Sequence, residues 1–123
     1  MPPARPTQPL GRLGERLAAE HLVRLGYEIL ARNHRTRFGE LDLVAYDGER
    51  LVFCEVKTRR AGSGEPWDAL HAGKRAQVRR MARAWLTETT DRPYARELRF
   101  DAIGVTADAA GRLVALEHLE AAW

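Results

Sequence analysis

A single cysteine, Cys54, and four histidines scattered over 123 residues leave neither a disulfide nor the paired spacing of a zinc site. Cys54 is therefore expected in the core of a protein of the reducing cytoplasm. No apolar run approaches the ~20 residues that span a bilayer, so no membrane segment is expected. The first ten residues, MPPARPTQPL, hold four prolines and no apolar stretch. Residues 1–10 read as a flexible leader and not as a signal peptide, leaving 11–123 as one domain with a single core. Lysine is nearly absent as well: of twenty basic residues only Lys57 and Lys74 are not arginine. Arginine is a rigid, permanently charged fork, whereas the lysine pKa can be moved, which singles out both lysines for inspection.

What is present is an ordinary globular balance, 45% apolar and 30% charged residues, with a net charge of +3 that weakly favours a polyanionic partner. GRLGERLAAEHLVRLG has helical periodicity from about Leu13 to Leu25, with Gly26 as its stop. YEILARN reads as a strand, followed by a polar basic stretch from Arg32 to Arg37. A second strand runs from about Gly39 to Tyr46 and a third from Arg50 to Thr58, around the turn signal Asp47-Gly48. A Gly-rich loop, RRAGSGEP, leads to a helix from Trp67 to about Thr87, which Asp91-Arg92-Pro93 ends. ELRFDAIGVTAD and RLVALEHL complete the chain as two strands. The order helix-strand-strand-strand-helix-strand-strand predicts an α/β fold, a central mixed β-sheet with helices packed on its faces.

The second and third strands carry Glu40, Asp42, Glu55 and Lys57 where a plain strand would place apolar residues. Alternation puts Glu40 and Asp42 on the face opposite Leu41, Leu43 and Ala45, and Glu55 and Lys57 opposite Val52, Cys54 and Val56. With a two-residue turn Glu40 falls opposite Glu55. With a four-residue turn Asp42 meets Glu55 and Glu40 meets Lys57. Both registers gather the four charges on one face at the open end of the hairpin. Three carboxylates so close repel one another unless a cation lies between them, and a hard divalent ion such as Mg²⁺ suits one or two carboxylates plus waters and a phosphate. On the first helix Glu15 rises from the stripe of Ala18, Ala19 and Leu22, and a buried acid needs a partner.

An acid early in one strand followed by Glu-x-Lys on the next, here Asp42 and then EVK, resembles the PD-(D/E)xK nuclease core. The blocks GRLGERLAAEHLVRLGYEILARN, GELDLVAYDG, LVFCEVKTR and RFDAIGV, in this order, resemble the YraN-like family, whose fold is similar to Holliday junction resolvases. Leu41 stands where the superfamily's motif has proline. The resemblance implies a three-layer α/β/α restriction endonuclease-like fold. It further implies Mg²⁺ or Mn²⁺ held by Asp42, Glu55 and the Val56 carbonyl, with Glu15 completing the site. Lys57 would then position or deprotonate the attacking water, and Glu40 would support the site.

Lys74 falls mid-stripe among Leu70, Val78, Met81 and Trp85, placed either to reach a phosphate or to snorkel. Arg75, Arg79 and Arg83 form an outward basic stripe on the second helix, and Arg32, Arg35, Arg37, Arg59 and Arg60 flank the acidic strands. All eight are candidates for phosphate contacts. Asp101 shares a face with Ile103 and Val105 and is assigned a structural role. The expected protein is a metal-dependent nuclease acting on branched or structured DNA, with a catalytically silent nucleic-acid-binding module of the same fold as the alternative. Resolvase-like relatives pair to cut two strands, so a homodimer is an open expectation.

Overall fold

The structure, a computed structural model, describes residues 9–64 and 72–123, the side chains of residues 72–74 excepted. Its elements are α1 (Leu10–Arg24), β1 (Glu28–Thr36), β2 (Gly39–Tyr46), β3 (Arg50–Arg60), α2 (Ala72–Glu88), β4 (Glu97–Ala107) and β5 (Leu113–Leu119). The five strands form one sheet in chain order, antiparallel except for the β3–β4 pair, which is parallel. A parallel pair requires a crossover, and α2 supplies it. The mixed sheet and the element order agree with the sequence. The predicted start of α2 at Trp67 lies outside the described residues.

Alternate residues of β3 divide between two cores. Val52, Cys54 and Val56 pack with Ala18, Ala19 and Leu22 of α1, whereas Leu51 and Phe53 pack with Val78, Met81, Ala82 and Trp85 of α2. One helix therefore covers each face, and the central strand is apolar on both sides. Phe53 anchors the α2 side, edge-on to Trp85 (5.8 Å) and stacked on Phe100 (5.5 Å between centroids). Cys54 is buried in the α1 core, where burial pushes its thiol pKa well up.

Gly26 ends α1 as expected: its φ of +98° is a conformation that favours glycine, and the Tyr27 N–H returns to the Leu22 carbonyl (3.0 Å). Gly14 serves another purpose. It is buried where α1 crosses β3, and a Cβ there would run into the Thr58 side chain. Gly14→Ala is expected to cost about 1–3 kcal/mol through overpacking, read as a lowered thermal midpoint. An unchanged midpoint would mean that the crossing is looser than described.

Two expectations need correction, and one open alternative is decided. The basic stretch from Arg32 to Arg37 is not a connection: Arg32 to Thr36 belong to β1, which pairs through Thr36↔Gly39. Of the two turn lengths the sequence allows after β2, the four-residue register is the one adopted, Tyr46↔Leu51, because the Asp47 carboxylate accepts the N–H groups of Glu49 (2.9 Å) and Arg50 (2.7 Å) and closes an Asx-type loop. The second correction concerns alternation along β2, which does not hold throughout. Leu43 and Ala45 face α1, but Leu41 joins Val44 in the α2 core. The break lies at Asp42, across from Asn33 by the flanking pairs Arg32↔Leu43 and His34↔Leu41, and Asn33 has a left-handed φ of +51°. Asparagine tolerates that conformation better than most residues.

Asp101 holds the far side of the sheet together. It is fully buried and accepts two hydrogen bonds from the Arg99 guanidinium (both 2.8 Å), one from His118 Nε2 (2.7 Å) and one from the Ala121 N–H (3.1 Å). Arg99 also donates to the Tyr27 hydroxyl (2.6 Å), and His118 Nδ1 lies 3.1 Å from His21 Nε2 on α1. Burial alone would raise the Asp101 pKa. The bonds from His118 and Arg99 outweigh it and hold the carboxyl below its ordinary value. Burial and the neighbouring His118 and Arg24 depress His21. The network ties the α1–β1 connection at Tyr27, α1, β5 and the C-terminal turn to β4.

Candidate metal centre

β2 and β3 part company at the site. Their ladder runs from Tyr46↔Leu51 to Leu43↔Cys54. One residue further on, the Asp42 carboxylate takes the place of a β2 carbonyl and accepts the Val56 N–H through Oδ2 (2.8 Å). Beyond this fork β2 continues along β1, and β3 continues along β4 as far as Arg60↔Ala107. A carboxylate wedged between strands keeps buried backbone satisfied while opening a cleft.

Into this cleft α1 sends Glu15. Carboxylate oxygens of Glu15, Glu40 and Asp42 all lie within 4.8 Å of one another. Burial raises the Glu15 pKa. Arg12 opposes that, Glu40 adds to it, and a hydrogen bond with Asn33 lowers it only in part. Arg12, which the sequence reading did not single out, sits 3.4 Å from Glu15 and 3.9 Å from Glu40, and Arg35 lies 3.6 Å from the other Glu40 oxygen. Glu55 stands apart from this trio. It is buried and faces Lys57, with Nζ to Oε1 at 3.5 Å. The carboxylate cluster therefore combines α1 with β2, and the Glu-x-Lys pair borders it on β3.

The donor set fits a hard divalent cation. All three clustered groups offer oxygen, the ligand type of Mg²⁺ and Mn²⁺, and sulfur and imidazole are absent from the trio. Asn33 supplies a second observation: among the described residues its Oδ1 is buried with no hydrogen-bond partner, on the residue whose side chain bonds Glu15. A hard oxygen left unpaired beside clustered carboxylates is a ready ligand. Asn33 was not anticipated, and its one local signal was an asparagine interrupting a strand.

The arginines divide by environment. Arg32 lines a groove of about 230 Å³ with Arg12, Glu15, Arg16 and Asn33, next to the acidic cluster. Arg35 is 82% exposed at its side chain, and Arg75 and Arg83 are exposed on α2. Arg59 and Arg60 are half-buried and bond the carbonyls of Thr58 and Asp108 (both 3.0 Å). Arg79 is exposed yet engaged, its guanidinium 4.6 Å from the Phe100 ring centroid and bonded to the Trp123 carbonyl (3.0 Å). Arg37 lies over the Phe38 ring at 4.8 Å. The Lys74 side chain lies outside the described residues.

Fold and site define an α/β protein with a mixed five-stranded sheet and an acidic, arginine-rimmed cleft at a strand fork. The chain belongs to the Uncharacterised protein family UPF0102, whose model matches residues 14–105. It is 49% identical over 116 residues to a UPF0102 protein of Frankia casuarinae, covering 93% of this chain and 95% of that one. A UPF0102 protein of Parafrankia sp. is 48% identical over 120 residues, 97% and 99% of the two chains. A third, from Acidothermus cellulolyticus, is 61% identical over 80 residues, 64% of this chain and 61% of its own length. Among the described residues no helix is long and apolar enough to cross a membrane.

Proposed function

We propose that this protein is a metal-dependent nuclease that hydrolyses phosphodiester bonds in branched or otherwise structured DNA, on a restriction endonuclease-like fold. The observation that carries the proposal is the convergence of Glu15, Glu40 and Asp42 at a fork whose other arm bears Glu55, Val56 and Lys57. Asp42, Glu15 and Glu40 would hold Mg²⁺ or Mn²⁺, with Glu55, the Val56 carbonyl and Asn33 Oδ1 as further oxygens in reach of the same fork. A divalent cation held there would offset the clustered charge and supply Lewis-acid polarisation of the scissile phosphate and stabilisation of the charge developing on it. Lys57, held against Glu55 as an ammonium, would orient the attacking water and the scissile phosphate; the water's proton passes to solvent as it adds to phosphorus, and solvent protonates the oxygen of the leaving strand as its P–O bond breaks. Arg32, Arg35, Arg59 and Arg60, with Arg75 and Arg83 of α2, seat the backbone, so affinity falls as salt rises.

A second reading, a silent nucleic-acid-binding module, draws on the contacts that Arg12 and Arg35 make with Glu15 and Glu40, which neutralise acid without metal. One experiment separates the two. Branched and linear DNAs incubated with Mg²⁺ or Mn²⁺ should be cut by the wild type, and Lys57→Ala should be slower by ~10²-fold or more, the scale of a lost donor that stabilises developing charge. Salt-sensitive binding with no cleavage under any divalent ion would establish the silent module instead.

A further inference from the structure

The groove that the acidic site does not use lies on the other face of the sheet, between the β1–β2 turn and α2. It encloses about 460 Å³ and is walled by Arg37, Phe38, Arg80, Arg83, Thr87 and Glu88, with Ala84 in its floor. That volume lies within the ~300–1,000 Å³ usual for ligand pockets. Its charge is lopsided, three guanidiniums to one carboxylate, and that carboxylate is turned to His34 (3.1 Å). Arg80 and Arg83 stand three residues apart on α2, so they share a face and form a short anionic seat.

Beside this seat is a stacking surface. The Arg37 guanidinium rests over the Phe38 ring at 4.8 Å, and Phe38 is partly buried against the α2 core while Arg37 is exposed. The Phe38 carbonyl accepts a hydrogen bond from Gln77 of α2 (2.9 Å), which fixes the turn to the helix. An exposed guanidinium backed by a ring keeps one side open to solvent, and nucleic-acid bases stack on guanidinium planes as they do on aromatic rings. Arginines placed to take a phosphate, next to a guanidinium backed by a ring, fit one ligand, a nucleotide whose base is free of a partner strand.

We propose that this groove binds an unpaired nucleotide of the DNA, its base stacked on Arg37 and its phosphate on Arg80 and Arg83. The inference rests on the nuclease reading and deepens it by naming what makes a DNA structured for this protein.

The test is binding in EDTA, so that it reads recognition without catalysis. Fluorescence anisotropy of the full chain compares a labelled duplex carrying one unpaired adenosine with the same duplex carrying an abasic residue at that position. The wild type is expected to prefer the adenosine probe by about tenfold, the scale of one stacked base. Arg37→Lys keeps the charge and loses the plane, so the ratio between the probes should collapse toward one, as it should in Phe38→Leu, which keeps the apolar packing. Arg83→Gln should weaken both probes alike and reduce the salt slope by about one. Equal binding of the two probes by the wild type, or a ratio unmoved by Arg37→Lys, overturns the assignment. Base preference without cleavage under Mg²⁺ or Mn²⁺ supports the groove and rejects the nuclease; cleavage without base preference does the reverse.

Discussion

Asp42→Asn is expected to remove divalent-metal binding and to slow DNA cleavage by ~10²–10³-fold, the loss that follows removal of one group stabilising a developing charge. The substitution is chosen for its geometry. Asparagine still presents an oxygen to the Val56 N–H, so the fork between β2 and β3 is kept while one negative charge leaves the cluster. Glu15 and Glu40 then repel one fewer neighbour, and the metal-free variant should melt at or above the temperature of the wild type. Loss of function with retained or increased stability is the mark of residues held together for chemistry against their own repulsion. Calorimetric titration with Mn²⁺ and a thermal melt on the same two samples check both halves. A wild-type Mn²⁺ isotherm matched by Asp42→Asn would remove the cluster from the mechanism, and a variant that unfolds would recast Asp42 as a purely structural wedge.

The second large effect lies on the same face of the sheet, at its β4–β5 end. Asp101→Ala is expected to cost about 3–5 kcal/mol, because it strands the Arg99 guanidinium, 11% exposed at its side chain, without its buried counter-charge. It also frees His118 and the Ala121 N–H, so the C-terminal turn loses its anchor. Against a total stability of ~5–15 kcal/mol this is a large fraction, visible as a shift of ~1–3 M in the urea midpoint. Glu20→Gln serves as the comparison: its pair with Arg16 is short at 2.9 Å but half exposed on both sides, and should shift stability by under ~1 kcal/mol. Similar losses from the two substitutions would mean that water reaches Asp101.

Local pattern carried the reading of the sequence a long way where a signal is contained in a few neighbouring residues. β2 has the anticipated bounds because its apolar-rich run opens after Gly39 and the Asp47 loop ends it. Glu15 lies on the predicted stripe because Ala18, Ala19 and Leu22 are each fully buried beneath it. What the local pattern left open or missed has one origin. Whether Asp42 faces Glu55 depends on a turn whose type is decided by two hydrogen bonds to Asp47, and both turn lengths suit the same dipeptide. The basic stretch from Arg32 to Arg37 reads as a connection only if charge is equated with exposure; an edge strand can carry charge outward and still pair its backbone. The His21–His118 contact joins residues 97 positions apart, and nothing local marks it.

Periodicity, turn chemistry and the placement of acids within apolar strands were sufficient to determine that this chain makes a mixed α/β sheet with carboxylates grouped at one end of β2 and β3. These are short-range properties, set by backbone geometry and the side-chain repeat of each element. Tertiary structure alone decided which carboxylates meet. Asp42 reaches across to the Val56 N–H, the β2 alternation breaks opposite the left-handed Asn33, and α1 approaches β3 closely enough at Gly14 to bring Glu15 to Glu40 while Glu55 turns to Lys57. Each of those outcomes depends on distances between elements far apart in the chain, and such distances are set by packing, which no local pattern encodes.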